Sequence, residues 1–80
     1  MSFRVTINRH FPLNEPESAQ FVYQAKTAID AATVANMAQV AAFGSILVES
    51  NAARLRGFSR GQTWSMNDGA RSLFVTIERE

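Results

Sequence analysis

Residues 54–64 read RLRGFSRGQTW and place cationic and aromatic side chains close together in the chain. Residues 54–71 are locally basic because Asp68 is their only acid, although the whole chain has a formal net charge of only +1. Arginine binds phosphate and stacks on bases, and arginine and tryptophan are both enriched at the energetic centres of protein interfaces. We therefore predict a partner-binding stretch, called the Arg-rich segment, with candidate residues Arg54, Arg56, Phe58, Arg60, Trp64 and Arg71.

Three interpretations of the Arg-rich segment are open. The first is docking on a protein, and the second is binding of single-stranded nucleic acid through phosphate contacts and base stacking. The third is a simple turn in which Phe58 and Trp64 complete a small core while the arginines stay in water. Phosphate binding depends on several cations without opposing acids, and the weak net charge does not favour it. Protein docking and the simple turn are therefore favoured over nucleic-acid binding.

Catalytic patterns are few in this chain. The letters GFSRG around Ser59 match the nucleophile elbow G-x-S-x-G, but that motif needs a strand, a helix and a large α/β sheet, which 80 residues cannot supply. His10 is the only histidine and cysteine is absent, so a Cys–His pair and a Cys/His zinc site within one chain are excluded. His10 with Glu15 and Glu17 lacks the expected ligand spacing. We predict no catalytic residue, no metal, no cofactor and no enzymatic activity.

Length and composition limit the architecture and the cellular location. A chain of 80 residues predicts one domain over residues 1–80, and its small core makes an oligomer or a bound partner helpful for stability. The lack of cysteine fits a reducing cytoplasm. No apolar run approaches the roughly 20 residues of a membrane helix, and the N-terminal MSFRVTINRH lacks a signal-peptide stretch. We expect a soluble, cytoplasmic protein with no membrane partner.

Helix signals are clearest in the middle of the chain. Thr27 and Asp30 have the spacing of a capping box, and no Gly or Pro interrupts the chain until Gly44, a residue type that commonly closes helices. This pattern predicts one helix over residues 28–43. Alternation of apolar and polar residues predicts strands on both sides of it, with a turn at NDGA joining the last two strands into a hairpin. The predicted strands are SFRVTIN, QFVYQAK, SILVES as a central strand, QTWSM and RSLFVTIERE.

The remaining segments are less regular. Residues 9–18 carry two prolines and no periodicity, which predicts a surface loop. Residues 51–60 fit either a short helical turn or a strand with a long loop. The order β-β-α-β-β-β predicts an α+β domain in which a single helix packs on an antiparallel sheet of four to five strands.

The predicted helix has two competing faces. Small residues at Ala31, Ala35, Ala38 and Ala42 form a smooth stripe that allows close approach, and we expect this stripe on the sheet. Larger residues form a second stripe on another side. If the larger stripe is the core, the alanines lie at its edge; otherwise one stripe meets another chain, a partner or a second copy. The second stripe consists of Ile29, Thr33, Met37 and Val40.

The stretch FVYQAKTAIDAATVANMAQVAAFGSILVES, residues 21–50, reads as a strand that enters a capped alanine-rich helix and leaves through glycine into another strand. In layout and size it resembles the central unit of several small phage-encoded anti-CRISPR proteins. The resemblance implies a non-enzymatic inhibitor that docks on a host protein complex, such as a CRISPR effector, in the host cytoplasm and blocks nucleic-acid access or recruitment. Many such inhibitors are acidic nucleic-acid mimics, whereas this chain is slightly basic, which favours steric docking over charge mimicry.

The sequence thus predicts a small protein-binding module, with inhibition of a host complex as its concrete form. One alternative is a nucleic-acid-binding module that uses the Arg-rich segment. The other is a structural assembly subunit that oligomerises through the helix stripe.

Overall fold

A computed structural model describes residues 2–13, 18–46, 50–56, 62–67 and 69–80, without the side chains of Arg56, Gln62 and Trp64. Four strands form one antiparallel sheet in the order β2-β1-β4-β3, and the longer of two helices packs on it. The α+β class and a sheet within the predicted size are therefore confirmed. The elements are β1 (Phe3–His10), β2 (Ala19–Ala25), α1 (Ala28–Phe43), α2 (Ala52–Arg56), β3 (Gln62–Asn67) and β4 (Ser72–Arg79).

Strands β1 and β4 lie at the centre of the sheet and supply much of the core. Their alternation is the predicted one, since three alternate side chains of each strand point to the helix-covered face and are buried. The cross-strand register places Val5 opposite Ile77 and Ile7 opposite Val75. The other face of the sheet is mainly polar, with an ion pair between Arg4 Nη2 and Glu78 Oε2 at 2.9 Å. The buried side chains of the two strands are Phe3, Val5, Ile7, Leu73, Val75 and Ile77.

Helix α1 has the predicted bounds for the predicted local reasons. The side chain of Thr27 accepts a hydrogen bond from the backbone N–H of Asp30 at 3.1 Å, which satisfies one first-turn donor. Gly44 adopts a left-handed conformation with φ of 77°, and its N–H donates to the carbonyl of Val40 at 2.8 Å. None of the helices in the described ranges has the length and hydropathy that crossing a bilayer requires.

The predicted hairpin near the C-terminus is also confirmed. Trp64 pairs with Val75 and Met66 pairs with Leu73 along β3 and β4. In the connection, Gly69 has a φ of 89° and donates its N–H to the Oδ1 of Asn67 at 2.6 Å. A side chain that accepts from the backbone two residues on is the usual stabilisation of such a turn.

The prediction of a central strand at residues 45–50 is wrong for the described residues of that stretch. Ser45, Ile46 and Ser50 lie outside the strands, residues 47–49 lie outside the described ranges, and β1 and β4 occupy the sheet centre. The segment returns along α1 instead, because the N–H of Ser50 donates to the Oδ1 of Asn36 at 3.3 Å. A short apolar run fits several environments, so its composition did not specify a strand.

Two other boundaries differ from the sequence prediction. The loop expected at residues 9–18 begins later, because Arg9 and His10 still belong to β1 and Phe11 is buried. The N–H of Phe11 donates to the Oγ of Ser18 at 2.8 Å, which holds the two ends of this connection together. For residues 51–56, the described part of the stretch 51–60, the helical turn is correct, since α2 occupies Ala52–Arg56.

Candidate docking surface

The outer side of α1 is exposed and apolar. We call Ile29, Thr33, Met37 and Val40 the outer stripe; all four are exposed, and Met37 retains 65% of its accessible surface. Asp30 is the only charged residue within the helix. A helix of a globular protein normally carries charged residues on the side that faces water. Helix α1 is instead apolar around most of its circumference, although the sheet covers only one side of it.

The covered side of α1 is the alanine stripe. Ala31 and Ala35 have no accessible surface, and Ala28 and Ala42 are buried as well. The expectation that this stripe lies on the sheet is confirmed, and the alternative in which the larger residues form the core is wrong. Because an alanine side chain is a single methyl group, the helix can lie close to the sheet on this side. The larger residues occupy a different side of the helix and point outward. Whether the outer stripe is an interface stays a prediction.

A shallow depression beside the outer stripe extends the apolar surface toward the end of the helix. Its walls include Met37, Val40, Ala41 and the exposed Ile46. Asn36 also lines it, and its Oδ1 accepts from Ser50 N–H at 3.3 Å and from Gln39 Nε2 at 3.4 Å. The first of these hydrogen bonds joins the helix to the returning chain.

A groove of about 270 Å³ separates α1 from β2, and we call it the edge groove. Phe21 and Tyr23 of β2 form one wall, with their ring centroids 6.4 Å apart. Met37 and Ala41 belong to the opposite wall and also border the shallow depression, so the two apolar surfaces are continuous. In the edge groove the guanidinium carbon of Arg9 lies 4.9 Å from the centroid of Phe21.

The structure describes only part of the Arg-rich segment. Arg54 is exposed on α2, whereas Arg56 and Trp64 are described by their backbones alone. Phe58 and Arg60 lie outside the described residues. The partner-binding role of this segment therefore stays a prediction.

Arg71 has internal partners at the C-terminal end of α1. Its Nη1 donates to the carbonyl of Ala42 at 2.7 Å, and its guanidinium carbon lies 5.3 Å from the ring centroid of Phe43. The last turn of α1 contains no basic residue, so Arg71 supplies from the β3–β4 connection the positive charge that a helix C-terminus favours. These contacts join the hairpin to the helix.

The Arg71→Met variant is expected to lose about 1 to 2 kcal/mol of unfolding free energy, because the helix end loses a charged donor and its favourable dipole interaction. Urea denaturation followed by circular dichroism measures this loss. Arg54→Met is the matched control, since Arg54 is exposed and its replacement should change stability by no more than about 0.5 kcal/mol. Equal stability of the two variants would show that the contacts of Arg71 contribute nothing.

Of the metal donor set considered from the sequence, the described residues include one member. His10 is exposed near the end of β1, while Glu15 and Glu17 lie outside the description. Over the described ranges, no group of three or more His, Cys, Asp or Glu side chains is placed to hold a metal ion.

Several residues of the candidate surface carry no distinctive sequence signal. Arg9 falls in a stretch that reads as a loop, and Ile46 in one that reads as a strand. Phe21 and Tyr23 are recognisable as one face of a strand, but their exposure depends on β2 being at the sheet edge. Strand order is a tertiary property, and local alternation does not encode it.

The chain matches no known family model, no curated protein and no solved structure.

Proposed function

We propose that this chain is a small, non-enzymatic protein-binding module that docks on a host protein complex through the outer stripe of α1. The observation that carries the proposal is the uncovered apolar side of a helix that is apolar around most of its circumference. Exposed apolar surface of this kind, bordered by polar residues, is typical of sites that bind another protein.

The chemistry of the surface favours steric docking. Asp30 is the only charge in α1, so the outer stripe presents no acidic array that imitates a nucleic-acid backbone. Met37 is more exposed than Ile29 and Val40 of the same stripe. Its side chain is flexible and polarisable, and such residues adapt to the shape of an apolar partner. In its concrete form the proposal is an inhibitor of a CRISPR effector or a similar host complex in the host cytoplasm; its support is the small size of the chain and the layout of a strand followed by a capped helix, which β2 and α1 retain.

The experiment is a phage infection assay in bacteria that carry an active CRISPR system, repeated over several effector types. Expression of the chain is expected to restore plaque formation against one type, and Met37→Glu is expected to abolish that protection. With the purified effector, the substitution should weaken binding at least about tenfold, because it places a charge in an apolar contact. A binding titration at low and high salt should show little salt dependence.

Phe74→Glu is the matched control for this experiment. Phe74 is an exposed apolar residue, with 46% of its surface accessible, on the sheet face away from α1. Its replacement should leave binding and protection unchanged. If Met37→Glu is folded and binds the effector as the parent does, the outer stripe is not the docking site. Tight binding of single-stranded nucleic acid that falls steeply with salt would instead establish the nucleic-acid alternative.

A further inference from the structure

Strand β2 forms one edge of the sheet and lacks the features that usually protect an edge. Among the described residues, no strand pairs with its outer side. Natural edge strands commonly carry lysine, proline or a bulge that prevents pairing with another chain. β2 reads AQFVYQA, without a charge, a proline or a glycine, and its side chains from Gln20 to Gln24 are exposed. An edge of this kind is a template for another strand.

The sequence of β2 is nearly the same in both directions around Val22. Phe21 and Tyr23 are both aromatic, and the flanking residues repeat as Gln20 with Gln24 and Ala19 with Ala25. A two-fold symmetric interface requires that one surface be complementary to itself. Two copies of one strand can pair antiparallel so that a central residue lies opposite its own copy. If the sequence is the same in both directions from that residue, like residues then face each other and the surface is complementary to itself. The other edge strand, β3, reads QTWSMN and has no such symmetry.

We infer that β2 pairs with β2 of a second copy of this chain, antiparallel and centred on Val22, so that the two sheets become continuous. The two-fold axis then runs perpendicular to the sheet, which places both α1 helices on the same face. Phe21 of each copy lies opposite Tyr23 of the other on the helix-covered face. Val22 lies opposite its own symmetry mate on the open face, flanked by glutamine pairs.

The side chains at this edge suit such a pairing. Phe21 and Tyr23 already stack within one copy, and cross-strand aromatic pairs are among the favourable contacts in antiparallel sheets. Because β2 carries no charge, the pairing brings no like charges of this strand together. Stable interfaces bury about 1,200 to 2,000 Å² in total, more than a single strand pair supplies. The Phe21 and Tyr23 wall of the edge groove lies on the same face as the helix, and a second copy covers this wall as well.

Disulfide trapping tests the register directly, because the native chain contains no cysteine. Opposed residues of antiparallel strands have Cα atoms about 4.5 to 5.5 Å apart, within the range of about 4.4 to 6.8 Å that a disulfide spans. Val22→Cys is therefore expected to form a covalent dimer under mild oxidation. Gln20→Cys alone should not cross-link, whereas its mixture with Gln24→Cys should.

Thr63→Cys is the matched control for the trapping experiment. Thr63 is exposed and lies in the same row across the sheet as Val22, connected through Thr6 and Thr76, but on the opposite edge. It should remain monomeric under the conditions that link Val22→Cys. Cross-linking of Thr63→Cys at an equal or greater rate would overturn the assignment of the β2 edge. Cross-linking of Gln20→Cys by itself would overturn the register.

Sedimentation equilibrium tests the non-covalent dimer with the cysteine-free chain. The parent is expected to sediment as a dimer, and Val22→Lys and Val22→Glu should each weaken association at least about tenfold, because like charges would meet at the two-fold axis. An equimolar mixture of the two variants should restore dimers, while Thr63→Lys should sediment as the parent does. A parent that is monomeric at millimolar concentration, or a folded Val22→Lys that dimerises like the parent, would overturn the proposal. Met37→Glu tests binding to the host effector and not dimerisation, so a failure of the dimer proposal can be told apart from a failure of the proposed function.

Discussion

Truncation of Leu55 to alanine is expected to lower the free energy of unfolding by about 2 to 5 kcal/mol, the largest stability effect we predict for a single side chain. Leu55 is among the largest fully buried side chains, with 1% of its surface exposed. It belongs to α2, a helix of only five residues that packs on α1. A helix of that length does not form in isolation, so its position depends on tertiary contacts. Removing the leucine leaves a cavity where α2 meets the rest of the core.

The other fixed point of α2 is Asn51, whose Oδ1 accepts from the N–H of Ala53 at 2.9 Å. This cap orients the first turn, but it does not replace the buried contact of Leu55. Guanidinium chloride denaturation of Leu55→Ala measures the loss, and Arg54→Ala on the exposed side of α2 should stay within about 0.5 kcal/mol of the parent. A Leu55→Ala variant as stable as its parent would mean that α2 contributes little to the fold.

The importance of Leu55 illustrates where the sequence is uninformative. It is a single apolar residue between Arg54 and Arg56, in a segment too short to show periodicity. Prediction of a helix needs apolar residues repeated over several turns, and prediction of a strand needs alternation over several residues. Neither pattern exists there, so only the packing against α1 identifies this residue as core.

Elements with local signals were predicted well. The buried apolar residues alternate from Phe3 to Ile7 in β1 and from Leu73 to Ile77 in β4, and this apolar face of each strand lies on the helix side of the sheet. Thr27 and Gly44 mark the ends of α1 through hydrogen bonds that involve only neighbouring turns. The stretch SILVES lacked such marks, because an apolar run of that length suits a strand or a helix-following segment equally.

The candidate site is harder to predict from the sequence than the helices and strands are, because it depends more on tertiary structure. The periodicity of α1 separates the alanine stripe from the outer stripe, but which stripe faces the sheet depends on how closely the two layers approach. Apolar residues on a helix usually indicate the core, and here the larger ones are outside. This inversion of the usual rule is the reason that we regard the outer stripe as functional.

The proposed assembly uses two surfaces of one small domain. The β2 edge would join two copies, and the outer stripe would meet the host complex. Since a two-fold axis perpendicular to the sheet keeps both helices on one face, a dimer would present two outer stripes in the same direction. Such a dimer would bind a multi-subunit target more tightly than one copy, provided that the two stripes match the spacing of two sites.

Replacement of Ala35 by leucine is expected to lower the unfolding free energy by about 1 to 3 kcal/mol. Ala35 has no accessible surface and lies in the alanine stripe that faces the sheet. A leucine there adds three carbon atoms to a contact that is already closed, so the helix must move away from β1 and β4 or neighbouring side chains must leave their preferred rotamers. Thermal unfolding followed by circular dichroism should show a lower midpoint for this variant.

Ala41→Leu is the matched control, because it adds the same atoms to an exposed alanine of the same helix. Helix propensity is nearly equal for the two residue types, so intrinsic preference contributes little to either variant. Ala41→Leu should unfold at or above the temperature of the parent, since the added side chain covers apolar surface in the edge groove. A midpoint for Ala35→Leu equal to that of Ala41→Leu would contradict close packing of the alanine stripe on the sheet. The outer stripe would then have to be reconsidered as core, because a helix this apolar needs one of its sides buried.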